Sequence, residues 1–412
     1  MAFLLLLLYL VVLYIRPAEW IPAFAGWQLA DLTLISAGIF LVFRIVATRK
    51  GLVQVPHHGF ILGLLGAIVA SHAVHTYVWG LKASLVRFAP VVILYFLVAN
   101  TLTSERRFKT VLWVLLTLTA VLAWQGIAQK AAGYGWAGQK LIAGRITWIG
   151  TLNDPNDLAL AFIIMVPVLL AILIKPGFFG VKVLPFGLLW LLVYGIYLTN
   201  SRGGALGFVA AVLFFFVKRS RYVVPGGILG GLFALPFFLF GPSRLGLLSS
   251  SPDESVYGRL DSWYYGFQLM KSNPIFGVGQ NMFTNDYPLT AHNSFVLAAS
   301  ELGLVGLFCW VGLFYVSFKG LSRVQRHHAR LAPYAYGLQA ALVGFGATAF
   351  FLSRTYNDLP YLVCALSVAL YHLAGQDTDQ VAFRFTGRDA RNVALLSLGS
   401  LVLAQIAMKT WL

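Results

Sequence analysis

The sequence predicts an all-α polytopic membrane protein with about 12–13 transmembrane helices. Three observations carry this. The 412 residues are 59% hydrophobic and only 11% charged, where soluble domains carry about a quarter charged residues. Mean hydropathy is +0.79. Apolar runs of about 17–25 residues, the length a bilayer core demands, recur along the chain, and they are too long and uniform for barrel strands. No soluble domain of ordinary size fits between them, so residues 1–412 read as a single transmembrane domain.

Taken in order, the spans are expected at 2–15, 30–48, 60–79, 86–103, 110–130, 157–174, 183–199, 204–217, 222–241, 293–318, 333–352, 359–375 and 392–411. The opening MAFLLLLLYLVVLYI has no basic n-region and no A-x-A pattern, so it reads as a first span and not as a cleaved signal peptide. The segment 392–411 either crosses or lies along the interface. Cys309 and Cys364 both fall in apolar spans and imply neither a disulfide framework nor a zinc site.

The net charge of +16 would suggest nucleic acid for a soluble chain. Here it reads as loop charge and no nucleic-acid partner is expected. With the N-terminus in the cytoplasm, 18 of the 30 Lys and Arg fall in cytoplasmic segments. They cluster as Arg44/Arg49/Lys50, Arg106/Arg107/Lys109, Lys175/Lys182, Lys218/Arg219/Arg221, Lys319/Arg323/Arg326/Arg330 and Arg384/Arg388/Arg391. That bias fixes the orientation. It leaves 12 basic residues outside, of which Arg145, Arg202, Arg259 and Arg354 sit at span ends and call for an explanation.

Two outer loops are long, 131–156 and 242–292, and loops of that length are functional or disordered. In the second, Trp263, Phe267 and Met270 recur at i, i+4, i+7, the pattern of an amphipathic helix lying on the membrane interface. It runs from about Tyr257 to Lys271 and stops at SNPIFGVGQ, where Asn273-Pro274 and two glycines force turns.

TNSRGG, Thr199 to Gly204, reads as a tight turn whose glycines fold the backbone back and leave N–H groups exposed. Arg202 there is either a snorkelling turn residue among lipid head groups or half of a phosphate or carboxylate site. Arg259 either anchors the loop helix, with Asp261 or Glu254 as partner, or binds ligand. Arg145 precedes NDPND, where Asn156 or Asp157 is expected to cap the sixth span.

In AHNSFVLAASELGLVG, Asn293 or Ser294 caps the tenth span and His292 sits just before its N-terminus. The helix dipole there disfavours a charged ring, and a neutral imidazole at an aqueous edge can act as a general base or simply position the loop. Glu301 lies about 12 Å deeper at helical rise, where a carboxylate needs a partner. It is expected to tie this helix to a neighbour through an outer arginine, with Gly303 and Gly306 letting another helix approach. His72 and His75, at i and i+3, are expected in a structural or substrate-lining role and not as metal ligands.

TNSRGGALG, then YGRLDSWYYGFQLMKSNPIFGVGQNMF, then AHNSFVLAASELGLVG resembles, in that order, the O-antigen ligase and O-antigen polymerase (Wzy-type) superfamily of bacterial membrane proteins. GRITWIGTLNDPNDLAL looks like the family's upstream segment, so the resemblance covers about 145–310. It implies a GT-C-like helical fold. It implies transfer of a glycan from an undecaprenyl-diphosphate carrier to a hydroxyl acceptor at the periplasmic face of the bacterial inner membrane, with no metal, cofactor or nucleotide sugar. Carried over by position, Arg202, Arg259 and His292 are the catalytic set. Arg145 and Arg354 would contact the diphosphate, and Glu301 and Asn293 would support the site. The most direct expectation is a ligase of lipopolysaccharide biosynthesis with lipid A-core or a similar glycolipid as acceptor. A polymerase, a protein O-oligosaccharyltransferase and, from another class, a lipid-linked oligosaccharide transporter remain alternatives.

Overall fold

The computed structural model describes residues 1–49, 51–175, 179–220, 223–239 and 254–411. Among the described residues the chain is helical throughout, with α1 (Ala2–Ile15), α2 (Leu29–Thr48), α3 (His57–Ala73), α4 (Val78–Thr101), α5 (Glu105–Ala132), α6 (Pro155–Leu173), α7 (Phe179–Thr199), α8 (Arg202–Arg219), α9 (Val223–Leu239), α10 (Glu254–Ser272), α11 (Ser294–His327), α12 (Ala332–Ala349), α13 (Asp358–Asp377) and α14 (Gly387–Trp411). Each expected span has its helix, and α10 is the loop helix. Residues 240–253, including most of the start of the second outer loop with Arg244, lie outside the described residues.

Helix starts follow local chemistry. Ser104, Asp154, Ser201, Asn293 and Asn357 each accept a backbone N–H of the first turn of α5, α6, α8, α11 and α13, satisfying donors that a helix start leaves bare. Pro155 opens α6 at a position where its missing N–H costs nothing. Gly133, at φ 85°, closes α5.

Nine of the described helices are long and apolar enough to cross a membrane: α1, α2, α4, α5, α6, α7, α11, α13 and α14. α3, α8, α9 and α12 are shorter or less apolar, yet α12 packs against α6 and α8, and α3 against α11. α8 and α12 approach closely: a Cβ on Gly207 would lie 2.9 Å from the Gly344 carbonyl oxygen, so only glycine permits this contact. α6 is the centre of the bundle, with 83% of its apolar window covered by protein against 22% for α2.

α14 covers the last expected span. It starts where Asp389 takes Lys319 and Tyr315 (2.6 and 2.8 Å) and packs along α11 and against α10. At 25 residues it is about 37 Å long, enough to cross.

The charges sort to opposite ends. At one end Glu105 meets Lys109 (2.7 Å) and Arg330 (3.3 Å), and Asp377 meets His328 (2.8 Å). At the other lie the starts of α6, α8 and α11 with the outer-loop residues. This is the segregation that the Lys and Arg count predicts.

The loop helix departs from expectation. Leu260, Trp263 and Phe267 are buried because α10 lays its apolar stripe on α11 and α14. Protein, not the membrane interface, covers that face.

Candidate active site

The candidate site is built on three helix starts and one wedge-like loop. At the first, Asp154 Oδ1 accepts both the backbone N–H and the side-chain amide of Asn156 (2.7 Å each). The cap of α6 is therefore Asp154, two residues before Asn156, and neither Asn156 nor Asp157. Asn156 is freed to act as a hub. Its Oδ1 accepts from Arg145 Nη2 (2.8 Å) and from Ser201 Oγ (2.6 Å). Arg145 Nε also donates to the Thr199 carbonyl oxygen (2.7 Å). Arg145 thus reaches 54 residues along the chain to fix the α7–α8 turn that presents Arg202.

That turn is not made by its glycines. Asn200 takes the left-handed conformation (φ 48°), which Asn tolerates better than most residues. Gly203 and Gly204 are helical and buried. A Cβ on them would meet Phe351 at 3.0 Å and Ala159 at 2.9 Å, so they serve close packing. The Gly204 N–H is already taken by Ser201 Oγ (3.0 Å) and is not left for a ligand. Arg202 is half-buried at the first position of α8.

At the third start, Asn293 Oδ1 accepts from Phe295 N and Val296 N (2.9 and 3.1 Å). Ser294 is clamped to the loop between α12 and α13. Its Oγ donates to Leu352 O (2.6 Å) and accepts Arg354 N–H (2.8 Å), and its carbonyl accepts Thr355 Oγ1 (2.9 Å). His292, between these fixtures and the loop, is held in the left-handed region at φ 49°, a conformation that persists in a non-glycine residue only where the surroundings impose it. Burial and the charges of Arg259 and Arg354 lower its pKa, with Asp154 opposing them weakly. The imidazole is therefore neutral near pH 7, as expected. Burial is the first cause and the two guanidinium groups come next.

Arg354 itself is committed. It forms a two-pronged ion pair with Asp157, through Nε to Oδ1 and through Nη2 to Oδ2 (2.5 Å), in a nearly buried setting. It joins α6 to the α12–α13 loop and lends its field to His292, which makes it a weaker candidate for direct diphosphate contact than its position in the sequence suggests.

The wedge is residues 273–283. Gly277 and Gly279 take φ 67° and 108°, so the expected turns form. The loop then docks on α11 where that helix is broken. Gly303 has φ 65° and ψ −168° inside α11. Across the break Val278 N donates to Ser300 O (3.0 Å), Gly279 N to Glu301 O (2.9 Å), Leu304 N to Pro274 O (2.8 Å) and Val305 N to Ile275 O (3.3 Å). Gly303 thus admits a loop, not another helix. A Cβ on it would sit 2.2 Å from Ile275 O.

Glu301 Oε1 accepts the Phe283 backbone N–H (3.2 Å), and the Tyr356 hydroxyl approaches the carboxylate without closing a hydrogen bond. The expected arginine is not its partner; a backbone amide is. His75 Nε2 donates to Gly277 O (2.9 Å), and His72, bonded to Ser84 Oγ (2.8 Å), packs its ring where a Cβ of Gly279 would be. Both histidines brace the wedge, the structural role expected. α10 is tied to the return of the loop by Tyr287, whose hydroxyl donates to Asp261 Oδ2 (2.7 Å) and whose ring stacks on Tyr265 (4.7 Å between centres).

At one end of the bundle the fold therefore gathers a neutral imidazole, the charges of Arg259 and Arg354 beside it, and Arg202 on an anchored turn. Such a set can polarise a hydroxyl and stabilise an anion. The family model described as O-antigen ligase matches residues 187–311. Over this stretch, about a third of its length, the chain is similar to the O-antigen ligase superfamily. Comparison with curated proteins finds no match. The O-antigen ligase stretch contains Arg202, Arg259, His292, Asn293 and Glu301, while Arg145 and Arg354 flank it. The match indicates glycosyl transfer of the O-antigen ligase or polymerase type by a multi-pass membrane protein, and that family in general uses a lipid-linked glycan donor and a glycolipid acceptor.

Asn156, Asp157 and Ser294 are the site residues that the sequence reading did not assign. NDPND was read as a capping run. Its excess of polar side chains over what one cap requires was the available signal.

Proposed function

We propose that this chain moves a glycan from an undecaprenyl-diphosphate carrier to a hydroxyl acceptor at the periplasmic face of the bacterial inner membrane, as an O-antigen ligase whose acceptor is lipid A-core or a similar glycolipid. The observation that carries the reading is the neutral His292 ring set between the charges of Arg259 and Arg354 at the start of α11. His292 accepts the acceptor's hydroxyl proton. The oxygen attacks the anomeric carbon, and the bond from that carbon to the diphosphate breaks on the opposite side. The product is inverted. Charge growing on the departing diphosphate falls to Arg202 and Arg259, whose guanidinium groups match phosphate oxygens in pairs. Arg145 holds the turn carrying Arg202, and Arg354 holds the His292 loop. On this reading the arginines do the work of a divalent ion, so transfer proceeds without added metal.

The donor half is common to ligase, polymerase and protein O-oligosaccharyltransferase, so the acceptor decides between them. A transporter would place its charges along a midplane path, whereas the candidates here lie at one end. The test is release of undecaprenyl diphosphate by protein in lipid, given carrier-linked glycan and lipid A-core, a second carrier-linked glycan, or a serine/threonine peptide, with and without chelator. Release with lipid A-core alone supports the ligase. Replacing His292 by Ala should lower turnover by roughly 10²–10⁴-fold while the protein still folds. Full turnover in that variant rules out His292 as the base.

A further inference from the structure

One groove lies at the end of the bundle opposite His292. It has a volume of about 690 Å³ and runs between α1 and α5. Its α5 wall is a single stripe, Glu105, Arg106, Lys109, Trp113, Thr117 and Leu118, facing Val11 of α1. Charge is confined to one end of the stripe and apolar surface to the other. From Glu105 to Leu118 the wall is about 20 Å long at helical rise, about two thirds of a bilayer's hydrocarbon thickness of about 30 Å.

The charged mouth is unbalanced. Glu105 is the only acidic residue lining it, and it already binds Lys109 and Arg330. Lys175, over the Tyr334 ring at 3.5 Å, adds to the positive field. Burial first, and then the neighbouring cations Lys109 and Arg330, lower its pKa to about 8. Arg107 turns away, donating to Thr101 O and Thr103 Oγ1 (3.1 Å each) beside the Phe3 ring. Arg106 is exposed on the groove and has no ion pair among the described residues.

We infer that this groove holds one anionic phospholipid of the leaflet facing that end, its phosphate on Arg106 and Lys109 and an acyl chain along Trp113, Val114 and Leu118. Cation excess over a membrane-facing apolar wall selects an anionic head group with a hydrocarbon tail, and a free phosphate would leave the wall bare. The glycan donor and its diphosphate belong to the other end, so the lipid is an additional ligand.

The groove carries its own reporter in Trp113. The protein is reconstituted in phosphatidylcholine vesicles containing a small fraction of acyl-brominated phosphatidylglycerol or acyl-brominated phosphatidylcholine. The Trp113 contribution is the difference in quenching between wild type and Trp113→Phe. With about a fivefold preference per basic residue near the surface, the anionic lipid should be favoured on the order of tenfold or more. Arg106→Gln with Lys109→Gln should abolish the preference, and Arg106→Lys with Lys109→Arg should retain it. Equal quenching by the two lipids, or a preference that survives the glutamine pair, overturns the inference. Inorganic phosphate that relieves the anionic quenching as well as phosphatidylglycerol would show an anion site without a lipid and overturn it too.

Discussion

His292 is kept neutral by burial first, and then by two arginines that come from different parts of the chain. Arg259 sits on α10, and Arg354 lies between α12 and α13. Because burial and both cations oppose protonation, the folded pKa lies below the ordinary histidine value of about 6.5. A base must be unprotonated, so kcat/KM should climb from the acid side with its midpoint below that value. Replacing Arg259 by Gln removes one opposing cation, and the midpoint should then move up toward 6.5, in the residual activity or in a ring titration by NMR. A midpoint that stays put would show that Arg259 does not act on this ring. The sequence singled out Arg202, Arg259, Arg145 and Arg354 as charges at span ends and His292 as a ring just before a helix start. Their partners were not legible. Asp157 and Arg354 are 197 residues apart, and no spacing rule links them; Arg145 binds a carbonyl, Thr199 O, which leaves no mark in the side-chain pattern.

Among the elements, α11 is the one whose form the sequence hid. Its run from 294 to 327 is apolar enough to read as one helix, and Gly303 looked like a packing residue. The break forms because a loop 20 residues upstream supplies hydrogen bonds for the interrupted turn, a long-range compensation that local propensity cannot express. Glu301 belongs to this junction as an acceptor. Glu301→Gln keeps an oxygen for the Phe283 N–H and should leave both stability and turnover near wild type. Glu301→Ala strands that buried donor and should cost about 1–3 kcal/mol, read as a lower Tm in detergent. If Gln abolishes turnover in a protein of unchanged Tm, the carboxylate has a chemical role after all. Gly303→Ala, forced into a conformation reserved for glycine and onto Ile275 O, should cost at least as much.

For the whole molecule, the ordering of spans and the sorting of charge were the readable part: apolar length counts helices and basic loops choose a side. Packing order was not readable, since α12 beside α8 and α10 on α11 depend on small-residue contacts and on a buried stripe that an interface helix would share. The orientation makes a direct prediction. In a chain with Cys309 and Cys364 replaced by Ala, a cysteine at Thr284 should react with an impermeant maleimide added outside intact spheroplasts. One at Gln376 should react only after lysis. The reverse pattern would turn the molecule over. The broken helix has one more consequence at this scale. Four main-chain hydrogen bonds join the wedge to residues 300–305. A slip of one residue would shift His292 by about 1.5 Å, turn its bearing by about 100° and sever all four bonds. The height of the imidazole above the bilayer is therefore indexed by the protein's own backbone, as by a tooth in a ratchet, and should hold constant in membranes of different thickness.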